Sequence, residues 1–343
     1  MTPDAKVIPI RTQSGEERSQ CDATTASGRP CRNLAVSGES YCRVHLRTAA
    51  PRPPVAAVQE AVKPPKGLEQ AAASVADYLR RRLGGDYPID DFGFDPELRA
   101  VLANLADPLY RHYFRVRALG VNRIPEEGPA LVVANHSGAI ALDSLMVNHA
   151  VATEHPRHRI IRNMGADLVY RLPFVGPLAR KTGNAVACDE DALELLRRGE
   201  LVGVYPEGFK GVGKGWSERY RLQRFGRGGF IEIALKARVP IVPVAIVGAE
   251  EAYPMIANAR PLARALGFPY FPVTPTFPWL GPLGLLPLPS KWIIEFGDPI
   301  PMDDYPRDAV EDPMLVFELA DSIRDRIQQM LLRNLRLRGG AFI

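Results

Sequence analysis

The stretch Leu131–Ser144, LVVANHSGAIALDS, decides how the chain is read. Leu131 to Ala134 is a short apolar run of strand type, and it stops at Asn135-His136, with Asp143 further along. Either polar residues simply close a strand, or a strand delivers a base to the mouth of a pocket. A histidine accepts a proton from a hydroxyl near neutral pH, and a carboxylate on its other ring nitrogen fixes the tautomer and steadies the imidazolium. His136 and Asp143 are candidates for that pair. Ser137 adjoins the histidine, but the G-x-S-x-G elbow that presents a serine nucleophile is missing.

Outward from this stretch, β and α patterns alternate. PALVVAN, HRIIRNMG, LVGVYPEG and PIVPVAIVGAE read as short buried strands; LDSLMVNHAVA, DEDALELLRRGE and GGFIEIALKARV read as the helices between them. The expected fold is therefore α/β, a mixed and mainly parallel sheet flanked by helices. The active site of such a sheet lies beyond the carboxyl ends of its strands. His136, Glu207 and Glu250 each follow one. In YPEGFKGVGK, Lys210 and Lys214 supply charge, and Gly211 and Gly213 let backbone N–H groups approach an anion. The G-K-[ST] ending of a P-loop is absent.

The chain has 343 residues, 46% hydrophobic and 24% charged, enough for one large α/β domain with additions. A net charge of +4 with scattered basic residues excludes a strong electrostatic case for nucleic acid and fits an anionic membrane surface better. Cys21, Cys31, Cys42 and His45 fall in one window closing on C-x-x-H, a donor set that suits tetrahedral structural Zn²⁺. The expected organisation is a disordered N-terminus (1–18), a small zinc-binding module (19–47), a Pro/Ala-rich linker (48–67), N-terminal helices (68–120) and the main domain (121–343). The helical stretch over Leu68–Leu83 ends on a basic run, and the one beginning DPELRAVLANL carries aromatics and arginines together, as a core-packing or membrane-lying element would. No signal-like segment and no run of about 20 apolar residues is found, so a cytoplasmic location is expected.

NHSGAIALD, YPEGFKG and VPIVPVAIVGAEE, in this order, together resemble the glycerolipid and lysophospholipid acyltransferase family over about residues 110–300. They are similar to its N-H-x-x-x-x-D, F-P-E-G-[ST]-R and V-P-[IV]-x-P-V blocks. A fourth block, which usually carries an arginine after F-[IV]-x-x, reads GNAVACDEDALELL here, and the gap between His136 and Asp143 is longer than the motif's. The resemblance implies transfer of a fatty acyl group from acyl-CoA to a lipid hydroxyl. His136 would be the general base and Asp143 its orienting partner, with Ser137, Gly138, Glu207, Gly208 and Lys210 at the substrates. Arg224, with Arg219, Arg221 and Arg227, would stand in for the missing arginine, and Pro240 and Pro243 would bound a pocket. No redox cofactor is implied.

Residues 262–292 are dense in aromatics and leucine yet broken by proline, which excludes a continuous spanning helix and suits a loop docking into headgroups through Phe271, Phe277, Trp279 and Leu280. The C-terminal stretch is helical, and its arginines Arg333, Arg336 and Arg338 offer charge to anionic lipid. The expected protein is thus a peripheral enzyme on the inner face of the cell membrane, its partners a lipid acceptor and acyl-CoA. A protein partner for the zinc module is left open. The alternatives are a non-catalytic lipid-binding or regulatory protein of the same fold, and a thioesterase or hydrolase in which His136 activates water.

Overall fold

Short β-branched runs separated by amphipathic helices can hide both faces of a sheet only by laying helices on each side of it. The computed structural model, which describes residues 79–80 and 89–342 apart from 139 and 227, has this arrangement. The candidate zinc ligands, the linker and most of the Leu68–Leu83 helix lie outside the described residues; Leu79 and Arg80 are helical. The chain divides into two units, Met1–Ala57 and Val58–Ile343, and every described residue belongs to the second.

Seven strands form the main sheet: β1 (Arg117–Leu119), β2 (Ala130–Ala134), β3 (Ile161–Gly165), β4 (Ala185–Val186), β5 (Leu201–Val204), β6 (Ile241–Val247) and, after an antiparallel ribbon of β7 (Ala257–Asn258) and β8 (Pro272–Val273), β9 (Ile293–Phe296). Their order is β1-β9-β6-β2-β5-β3-β4. Every pairing is parallel except β6 with β9, so the sheet is mixed and mainly parallel. β2 sits between β5 and β6, with Leu131 opposite both Val202 and Ile241. The carboxyl ends of these three central strands therefore open side by side.

Five longer helices cover the sheet: α1 (Pro96–Pro108), α2 (Leu142–Glu154), α3 (Asp189–Arg197), α4 (Gly229–Ala237) and α5 (Pro313–Arg338). On one face Leu195, Ile231 and Ile327 bring α3, α4 and α5 onto the sheet. On the other, Met146 and Val147 of α2 pack with Tyr110, Phe114 and Trp292. In the aromatic and arginine-rich stretch that begins at α1, Arg99, Tyr110 and Phe114 turn inward, while Arg111 and Arg117 are exposed. Arg99 is buried and donates to Asn148 Oδ1 at 2.8 Å, burial lowering its pKa to about 10. Tyr110 donates to Glu154 at 2.6 Å.

Two of the three C-terminal arginines are paired with carboxylates of the domain, the Arg338 side chain buried and Arg333 at the surface. Arg333 lies 2.6 Å from Glu295 and Arg338 2.7 Å from Glu251, while Arg336 is exposed. α5 starts where Asp312 accepts the N–H groups of Met314 (2.9 Å) and Leu315 (3.2 Å), with Pro313 in the first turn. Asp312 is exposed, so Asp312→Ala is expected to lower stability by about 1 kcal/mol. Urea unfolding should show a lower midpoint and an unchanged slope.

Candidate active site

The chain leaves β2 through Asn135, whose side chain bonds β6 in both directions. Its Oδ1 accepts Ile246 N–H (2.7 Å), and its Nδ2 donates to the Ile246 carbonyl (3.1 Å). With the strand end fixed in this way, His136 is placed over the neighbouring strands. Its Nδ1 donates to Asp143 Oδ2 at 2.7 Å. Asp143 is fully buried in the first turn of α2 and also accepts the N–H groups of Ser137 (2.9 Å) and Ser144 (2.8 Å). The long sequence gap is thus bridged by a loop that folds back onto the helix start. The His136 side chain keeps 17% exposure, and among the described residues no hydrogen bond occupies its Nε2. Nε2 is therefore the basic nitrogen. The Tyr205 ring lies 4.8 Å from the imidazole, and burial, reinforced by the Asp143 charge, raises its phenol well above the usual range.

Glu207 is buried and engaged on every side. It accepts His136 N–H at 3.0 Å and Gln223 N–H at 2.7 Å, and lies 3.3 Å from Lys214 Nζ. Lys214, equally buried, also reaches Glu250 Oε1 at 3.0 Å, and Glu250 accepts Tyr220 N–H at 2.7 Å. Three of the strand-end groups picked out from sequence thus meet, but Lys214 is taken up by two carboxylates and has no charge left for a substrate. Burial outweighs the Lys214 attraction at Glu250 and pushes that carboxyl up, whereas the two carboxylates hold the Lys214 proton above the lysine range.

The glycines of the Pro206-Glu207-Gly208 turn and its sequel have separate reasons. Gly208 takes φ 53°, ψ −142°, a conformation open essentially to glycine alone. A Cβ on Gly211 would come within 2.7 Å of both the His136 carbonyl and Glu207 Cβ. Lys210 is exposed and has no carboxylate partner among the described residues. Ser137 is fully buried, its Oγ without a partner among the described residues. Gly138 and Gly211 line a cleft whose other wall includes Trp216, Arg219, Tyr253 and Met255. Arg224 is exposed and stacks on Phe317 of α5 at 5.0 Å; Arg227 lies outside the described residues. Lys214, read from the sequence as charge for an anion, is instead the shared partner of two carboxylates. The roles of Asn135, Tyr205 and Glu250 were not assigned from sequence, and the only pointer to them was a place at or just after a strand end.

Comparison with known proteins defines the class: residues 115–247 match the family model described as Acyltransferase. An uncharacterized protein of Mycobacterium tuberculosis is 52% identical over 279 residues, 81% of this chain and 78% of that protein. The chain belongs to this acyltransferase family. A Bos taurus protein described as "DGAT1/2-independent enzyme synthesizing storage lipids" is 27% identical over 223 residues, 64% of this chain and 60% of that one. The crystal structure of the 1-acyl-sn-glycerophosphate (LPA) acyltransferase PlsC from Thermotoga maritima aligns with a TM-score of 0.44 at 18% identity, covering 68% of this chain and 81% of that one.

Removing Lys214 leaves two buried carboxylates facing each other. Lys214→Met is expected to cost about 3–5 kcal/mol of stability. Adding Glu250→Gln should recover a measurable part of it. Because the folded state raises the Lys214 pKa, its contribution is complete below the ordinary value of 10.5 and fades as pH rises through the raised folded value. Thermal melts of the wild type above pH 10.5 should therefore fall more steeply than those of Lys214→Met. Equal slopes would contradict the ion-pair account.

Proposed function

We propose that the protein moves a fatty acyl group from an acyl thioester, acyl-CoA, to a hydroxyl of a glycerolipid or lysophospholipid at a membrane surface. The observation that carries this reading is the 2.7 Å bond from His136 Nδ1 to the buried Asp143, which leaves Nε2 open. The acceptor hydroxyl gives its proton to Nε2 while its oxygen attacks the thioester carbonyl. The C–S bond then breaks, and the imidazolium returns the proton to the leaving thiolate, so the histidine ends as it began. Asp143 holds the tautomer and stabilises the imidazolium between these steps. The lipid assignment draws on the block resemblance and on the storage-lipid description of the bovine relative.

His136→Ala is expected to abolish transfer of labelled acyl groups from acyl-CoA to lysophospholipid or diacylglycerol. Asp143→Asn, which removes the charge but keeps the shape, should lower kcat by about two to four orders of magnitude. Transfer that survives His136→Ala rejects the base. CoA release that needs no acceptor points to hydrolysis instead.

Among the described residues no helix is long and apolar enough to cross a membrane. The connections leaving the carboxyl ends of β2, β3, β5 and β6 carry exposed apolar side chains: Ile140, Phe174 (88% exposed), Phe209, then Trp279 (71%), Leu280 and Leu283 (68%). Phe271 and Phe277 stack on each other at 5.4 Å and are half-buried, so the outward part of the long loop is Trp279–Leu286. Such a rim suits insertion into headgroups on the side where the acceptor enters. Trp279→Glu combined with Leu283→Glu is expected to lower binding to anionic phospholipid liposomes at least about tenfold in a sedimentation assay. Unchanged binding removes this rim from the proposal.

A further inference from the structure

Beside the cleft, between residues 219–222 and the C-terminal half of α5, lies a groove of about 640 Å³, a volume within the range of small-molecule sites. Arg219, Arg221, Arg324 and Arg338 line it. The mechanism uses none of them. Arg338 is paired with Glu251, and Arg324 with Asp325 at 2.9 Å. Among the described residues Arg219 and Arg221 have no carboxylate partner, and the Arg219 guanidinium sits 4.3 Å over the Trp216 ring. Four cations against two carboxylates leave a positive surplus. The Nε–H groups of Arg324 and Arg338 are buried and reach no acceptor among the described residues, although buried donors are almost always satisfied. Leu222, Leu332 and Leu335 add apolar wall.

We infer that this groove binds the phosphate-bearing nucleotide end of a coenzyme A thioester. Guanidinium groups are the preferred partners of phosphate, and an apolar wall beside them suits a purine ring. The link to the chemistry is Arg219, which lines both the groove and the cleft walled by Gly138 and by Gly211, the latter packed against His136. The phosphate of a lysophospholipid is only a few bonds from its reacting hydroxyl and must lie in the cleft itself. The phosphates of coenzyme A are separated from the thioester by the whole pantetheine arm, which matches a groove that meets the cleft at one residue. The apolar rim of Trp279, Leu280 and Leu283 has no residue in the groove, so the water-soluble donor and the lipid acceptor arrive by different routes.

This inference rests on the acyl-CoA reading above, and a binding measurement separates the two. Calorimetry of the full chain with adenosine 3′,5′-bisphosphate should detect binding that Arg221→Glu and Arg324→Gln each weaken on the order of tenfold. Circular dichroism verifies that both variants are folded. In steady-state assays each variant should raise KM for acyl-CoA about tenfold relative to KM for acyl-pantetheine, which lacks the nucleotide. Wild-type binding no tighter than that of Arg221→Glu overturns the proposal, as does an equal change in KM for both donors. It is also overturned by an effect confined to phosphate-bearing acceptors, or by turnover of acyl carrier protein thioesters without nucleotide binding. Nucleotide binding by a chain that transfers no acyl group sinks the reaction reading and leaves the groove standing.

Discussion

The buried carboxylate of Glu207 is the constraint on which the rest of the site depends. It accepts the backbone N–H of His136 from the neighbouring strand and that of Gln223 from the following loop, and it shares Lys214 with Glu250 at the end of a third strand. One side chain thus ties the carboxyl ends of β2, β5 and β6 into a single frame. Positioning a base to a few tenths of an ångström requires a partner with no conformational freedom of its own, and a buried group held by three bonds meets that requirement. The glycines nearby serve the same closeness: Gly211 lies so near the His136 backbone that no side chain fits between them.

Much of this is legible in the sequence. The alternation of β-branched runs with amphipathic helices from Pro129 to Val247 set the α/β class, and His136, Glu207 and Glu250 were each placed after a strand. Parallel strands buried on both faces write themselves as short continuous apolar runs, which is why those boundaries were readable. The strand partners were not legible. β9 runs antiparallel to β6, and β1 joins it at the edge, because neither direction nor neighbour leaves a mark in a four-residue apolar run.

Charged residues were the harder part, for a definite reason. Lys214 sits among glycines in a stretch that suits an anion, and only the fold brings it between Glu207 and Glu250. Arg338 looks like a free basic tail, yet it closes on Glu251, which also accepts the Tyr220 hydroxyl. A charge run in sequence reports composition, whereas its role depends on whether an opposite charge lies within reach once burial has raised the cost of being alone. Glu250 and Glu251, adjacent in sequence, take different cations on different elements, so each anchors another part of the domain.

The ionic frame also bears on the chemistry. Glu207, Lys214 and Glu250 together carry one more negative than positive charge when all are ionised, and Asp143 adds another directly at the imidazole. These charges are fixed by buried bonds before substrate arrives, so with His136 in its proposed role they need no reorganisation when it takes up a proton. A hydrophobic filling of the same space would pack as well and would be no less stable, since buried ion pairs often do little more than offset their own desolvation. It would lack a field that favours the imidazolium. Under the proposed acyl transfer, the charged frame is therefore better explained by the transient state of His136 than by the stability of the sheet beneath it.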